Sequence, residues 1–246
     1  MRHNKNQIIS FIKCISNILL INGGFLDSPG LYTGEMGLVL FFFRYAYFSK
    51  NELYKEYGFV LIEKIQNKIY QETPIDYKQG LTGIGSAIEY LVQKGYIDAN
   101  TDEILEDFDA RIFSIQDLPH TPIETMTSIG YYANWRMSGN SRKKDIIRQT
   151  ILSQVERILH NHSIIPTRHL LYDKNHQDGV RTKTYCHFLE LITNNDPFDI
   201  NRLDLGFENG LAGLGMTLLS ELDGDISWTS LFPNYFNSTQ NESIPL

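Results

Sequence analysis

The chain has 246 residues, 42% hydrophobic and 21% charged, a globular balance that excludes disordered and collagen-like classes. Its 22 basic and 29 acidic residues leave a net charge of −7, and no basic run is longer than Arg142-Lys143-Lys144, so no nucleic-acid partner is expected. Two cysteines, Cys14 and Cys186, are too few for a disulfide scaffold, which points to a reducing compartment and a cytoplasmic location.

In chain order, Ile8, Phe11, Ile12, Ile15, Ile18 and Leu19 form one stripe of an amphipathic helix, interrupted by Lys13, so neither a signal peptide nor a membrane span is expected. The stretch Gly34-Glu-Met-Gly37 opens a segment, Leu38 to Phe43, that is apolar all round and therefore enclosed. Residues 51–70 carry Leu53, Tyr57, Val60, Leu61, Ile65 and Ile69 on one side, which predicts an outer amphipathic helix. Gly80-Leu-Thr-Gly83 starts a second apolar helix. Thr101 to Ile115 begins with Asp102 and Glu103, suited to the positive end of a helix, and its stripe is Ile104, Leu105, Phe108 and Ile112.

A weaker copy of the glycine pattern follows at Thr125-Met-Thr-Ser128, then an amphipathic stretch over Ser141 to His160 with Ile146, Ile147, Ile151 and Val155 inward. Gly210-Leu-Ala-Gly213 starts the last apolar segment. Starts at residues 34, 80, 125 and 210 lie 46, 45 and 85 apart, and the last interval leaves room for one worn copy near residues 165–185. Alternating outer and inner helices at this period predict an all-α chain, an α/α toroid of repeated helix pairs over residues 1–222, with a surface tail at 223–246. About five units fit, fewer than a closed ring needs, so the ring is expected to be open, its gap covered by the tail, a partner or a second copy. A dinucleotide fingerprint is excluded: Ile88 and Leu218 stand where a third glycine is required, and no apolar strand precedes Asp76-Tyr-Lys-Gln.

The segments Gly30-Leu-Tyr-Thr-Gly-Glu-Met-Gly37, Gly80-Leu-Thr-Gly-Ile-Gly85 and Gly210-Leu-Ala-Gly-Leu-Gly215 resemble the lanthionine synthetase C-like (LanC-like) family, from about Gly30 to Leu222. The resemblance implies an α/α toroid and a role in ribosomal-peptide modification. Family members with full sites hold zinc with two cysteines and a histidine, one pair reading Cys-His-Gly, and activate a thiol that adds to a dehydrated serine or threonine. Here Cys186-His187 is followed by Phe188, and Cys14 is the sole other thiol. The ligand set is incomplete, so no cofactor is expected; Cys186 and His187 remain the candidate zinc ligands, with His187 also a candidate proton carrier.

The expected function is therefore a peptide-binding or scaffolding subunit whose partners are a peptide or a modifying enzyme. The alternatives are an active zinc-dependent thioether-forming cyclase and a toroidal carbohydrate-active enzyme. The last would use Asp76 and Glu89 as an acid pair in a cleft with Tyr77, Tyr131 and Trp135. Glu35 falls in the first turn of its helix, where dipole compensation accounts for it. His160, His162, His169, His176 and His187 cluster near Asp173 and Asp178, but in no known zinc spacing.

Overall fold

A computed structural model describes residues 5–115, 121–143, 145, 147, 151, 153–155 and 204–232. Among these residues the regular structure is helical throughout. The main helices are α1 (Lys5–Asn22), α2 (Glu35–Ser49), α3 (Glu52–Lys68), α4 (Leu81–Gln93), α5 (Thr101–Ile104), α6 (Glu106–Phe113), α7 (Ile123–Ser138) and α8 (Leu211–Asp223). Short 3-10 turns occupy Gly23–Phe25 and Ser227–Leu231.

Three helices, α2, α4 and α8, start with one geometry. Their N-cap glycines Gly34, Gly80 and Gly210 share φ near −110° and an extended ψ, a conformation open to any residue. What excludes other residues is space. A Cβ on Gly34 would lie 2.4 Å from the Ser28 carbonyl oxygen, one on Gly80 2.1 Å from that of Pro74, and one on Gly210 2.8 Å from that of Asp204. Each of those carbonyls, six residues upstream of its glycine, accepts a hydrogen bond from the N–H of the first helical residue, Glu35, Leu81 or Leu211, at 2.9 Å. The second glycine repeats the argument: a Cβ at Gly37, Gly83 or Gly213 would strike the carbonyl oxygen of Leu31, Tyr77 or Phe207. The Gly-x-x-Gly pattern is therefore the footprint of a hairpin turn wrapped against the first turn of its own helix.

The three turns also bond to one another. The N–H groups of Leu31 and Tyr32 donate to the Lys78 carbonyl at 2.9 and 3.0 Å, and those of Phe207 and Glu208 donate to the Tyr32 carbonyl at 2.7 and 2.8 Å. The weaker fourth copy differs. Its helix α7 starts earlier, behind Pro122, and Ser128, at the second-glycine position, accepts the Tyr77 N–H through its hydroxyl at 3.1 Å.

Below the turns the helix packing repeats too. Gly215 of α8 faces Phe41 of α2, and Gly85 of α4 faces Tyr132 of α7, each so closely that a Cβ would come within 2.4 and 2.6 Å of the ring. The neighbour order is thus α8, α2, α4, α7: the last repeat sits beside the first. An open ring with its gap covered by the tail, a partner or a second copy was expected; among the described residues α2 and α8 cover each other, because Gly215 makes room for Phe41. Leu38 to Phe43 of α2 are all buried, as an all-round apolar helix requires.

The outer elements depart more from expectation. Helix α1 buries Ile8, Ile12, Ile15 and Leu19 and packs on α8; with its adjoining turn it is long and apolar enough to cross a membrane by length and composition. Helix α3 packs through Gly58, Leu61 and Ile65, while Leu53 (68%) and Val60 (57%) are exposed. The seam is narrower than the sequence stripe because Gly58 lets Phe43 lie against the α3 backbone, where a Cβ would come within 2.7 Å of the ring. The predicted helix from Thr101 breaks into α5 and α6, capped by the Asn100 side chain, which accepts the Asp102 N–H. Residues 225–232 are not a surface tail either: Trp228, Leu231 and Phe232 are buried in the main core.

Candidate functional site

The turns before α2, α4 and α8 form one polar face. Lys78 reaches Glu208 (Nζ to Oε1, 3.3 Å) and lies 5.2 Å from the centre of the Tyr32 ring. Ser28 donates to the Gln79 amide oxygen, and the Gln79 amide nitrogen donates to Thr33. Asp76 is consumed by the turn itself, its Oδ1 accepting the N–H groups of Lys78 at 2.9 Å and Gln79 at 2.8 Å. These contacts fasten successive repeats, and Lys78, Glu208 and Gln79 were not singled out by the sequence because each looks solvated when read alone.

Glu89 lies near the other end of α4. It sits nine residues after Gly80, about 13 Å along the axis, while Asp76 precedes that glycine. The structure does not bring the two carboxylates together. Glu89 is buried, and its Oε2 accepts from Arg136 Nη1 at 2.8 Å; the missing side chain of Gly139 leaves the space that Oε1 fills. A cleft of about 380 Å³ is lined by Glu89, Gln93, Asp98, Asn100, Thr101 and Asn140, and Asp76 is not part of it. The aromatic residues proposed to line such a cleft instead pack as pairs, Tyr77 on Tyr131 and Tyr90 on Trp135.

Arg136 organises the ionic centre of this region. Fully buried, it donates to Glu89, to Thr101 Oγ1 at 3.0 Å, to Asp102 Oδ1 at 2.7 Å and side-on to both oxygens of Asp109. Tyr132 donates its hydroxyl to Asp109 at 2.7 Å. Burial pushes Asp102 upward, but hydrogen bonds from Ser141, the Arg142 N–H and Arg136 outweigh it and hold the carboxyl at about 2. Burial opposes the Arg136 charge, yet the Asp109 carboxylate beside it raises the guanidinium above its ordinary value. This is a structural clamp joining α4, α5, α6 and α7, in which every charge is paired. A comparable clamp holds Glu35, buried at the start of α2, between Lys64 (2.7 Å) and Lys68 (3.1 Å) of α3.

Of the two thiols considered as zinc ligands, only Cys14 lies among the described residues. Cys14 lies on α1 and packs against the main core, where burial raises its thiol above the ordinary value and disfavours the thiolate a metal requires. Cys186 and His187, with the histidines from His160 to His176, lie outside the described residues. Among the described residues no group of three or more metal-binding side chains converges.

Among the described residues, fold and face together define an all-helical protein built on glycine-started helices, to which α3, α5 and α6 are joined by buried ion pairs. No protein-family profile, curated protein or solved structure matches the chain.

Proposed function

We propose that this chain is a LanC-like protein of ribosomal-peptide modification, cytoplasmic, that binds a peptide or the modifying enzyme as a scaffolding subunit without forming thioethers. The single observation behind this reading is the shared turn geometry at Gly34, Gly80 and Gly210, which gives the Gly-x-x-Gly resemblance a common physical cause. The neighbour order α8, α2, α4, α7 supports an α/α ring of about five helix pairs. Loss of chemistry rests on the donor set: one Cys-His pair and one half-buried thiol on an outer helix.

Adding a thiol to a dehydroamino acid leaves the peptide mass unchanged, so the test reads the thiol. A synthetic peptide carrying one dehydroalanine and one cysteine is mixed with the protein and zinc, its binding followed by anisotropy and its thiol by iodoacetamide labelling. The expected result is saturable binding with a fully alkylatable thiol. Enzyme-dependent loss of alkylation would instead establish a cyclase, and absence of binding would remove the scaffold reading.

A further inference from the structure

Helix α8 ends at Gly224, whose left-handed φ of 77° reverses the chain while its N–H caps the Ser220 carbonyl. Residues 225–232 then run back along the inside of α2, α4 and α8. At the start, Asp225 offers its carbonyl oxygen to Arg44 Nη2 at 2.6 Å and its carboxylate to Lys94. In the middle, the Ser227 hydroxyl pairs with Tyr90 at 3.2 Å, and the Trp228 indole N–H donates to Ser220 Oγ at 2.9 Å. At the end, Phe232 stacks on Phe207 with ring centres 3.9 Å apart and meets Tyr32 at 5.1 Å. The segment therefore spans from the C-terminal ends of the inner helices to their turns.

The wall it reads is a product of the repeat. Arg44, Tyr90 and Ser220 are each ten residues beyond their N-cap glycines, Gly34, Gly80 and Gly210, and Tyr32 and Phe207 belong to the turns. One register of three inner helices thus lines a common groove, and what fills it is a short 3-10 stretch held by a side chain that recognises backbone and by an aromatic cradle. Arg44 is buried, and its Nε has no hydrogen-bond partner among the described residues, leaving donor capacity at the groove floor.

We propose that the groove between α2, α4 and α8 is a peptide-binding site and that residues 225–232 are its resident occupant. The ligand class is a peptide with two large aromatic side chains four residues apart, as in Trp228-x-x-x-Phe232, which must displace the tethered segment. This rests on reading the chain as a peptide-binding protein and adds where the peptide binds and what blocks it. The tether keeps the segment at an effective concentration near millimolar, so the intact chain admits only a peptide that binds the groove more tightly than the segment itself does.

The test opens the tether after folding. A protease site is inserted after the exposed Gly224 in the full chain, and a fluorescein-labelled synthetic peptide spanning Asp225–Phe232 is added before and after cutting, with helicity followed by circular dichroism. The expected result is no binding to intact protein and saturable one-to-one binding after cutting, with helicity unchanged. An unlabelled peptide carrying Trp228→Ala and Phe232→Ala competes about a hundredfold more weakly or worse, since both aromatic anchors are lost. Loss of helicity on cutting, a segment that never exchanges, or equal binding to the intact chain would each overturn the proposal. The dehydroalanine peptide, added to the cut protein as a competitor, separates the two readings: exchange of the aromatic segment without competition leaves the groove standing and removes the assigned peptide class.

Discussion

Gly80 and Gly24 respond in opposite ways to the same substitution. A Cβ at Gly80 strikes the Pro74 carbonyl oxygen, which is backbone and cannot rotate away, whereas at Gly24 nothing lies within 4 Å. Gly80→Ala is expected to cost about 3 kcal/mol in urea unfolding, and Gly24→Ala to stay within about 0.5 kcal/mol. Arg136→Met leaves Glu89 buried without its cation and Asp109 with Lys143 alone at 3.4 Å and is expected to cost about 3–5 kcal/mol by the same measurement. Asp102 adds a pH signature. Its folded value of about 2 lies below the ordinary 3.8, so its contribution is complete above the ordinary value and is lost as pH falls through the folded one. Asp102→Asn should therefore be less stable than the native chain at pH 7, with the difference closing as acid is added towards pH 2. The glycines were legible in the sequence because their cause, a missing Cβ, is carried by the residue itself. The Arg136 clamp was not, because Asp102 already had a sufficient local explanation at the start of a helix, and its long-range partner is 34 residues away.

Between elements, contacts are set by exchanged volume. Gly215 receives Phe41 and Gly85 receives Tyr132, while the corresponding positions of α2 and α4 hold Val39 and Ala87. The bulk moves from one helix to the other and their sum is kept. Gly215→Val alone is expected to cost about 1–3 kcal/mol through overpacking. Combined with Phe41→Ala it transfers the α2–α4 solution to the α8–α2 contact, so the double variant should be more stable than the sum of the single losses by at least about 1 kcal/mol in a double-mutant cycle. Strict additivity would show that the two residues do not share one contact. At this scale the sequence located helices better than faces. Inner helices were legible because they are apolar all round. The α3 seam was overread because Leu53 and Val60 obey helical spacing yet remain exposed, and the seam is decided by Gly58, whose importance depends on Phe43 from another helix.

For the whole molecule, the repeat period suggested an open ring with its gap covered, and among the described residues the last repeat packs beside the first. Sequence spacing reports how many units a chain holds, and it is blind to which unit follows which in space. The same blindness affected the tail. Gly224 and the prolines and asparagines beyond it read as loop, yet Trp228, Leu231 and Phe232 stand at i, i+3 and i+4 and are buried, an apolar spacing that could have placed them in the core. The proposed function rests mainly on the turns, since their geometry gives the family resemblance a physical basis, and on the incomplete thiol set. The central claim is that this geometry is kept while the metal chemistry is lost. Its most direct test is the zinc content of the purified full chain and of Cys186→Ala after equilibration with zinc and removal of loosely held metal. Native chain and variant alike are expected to retain far less than one zinc per chain; one zinc per native chain that disappears in Cys186→Ala would contradict the claim.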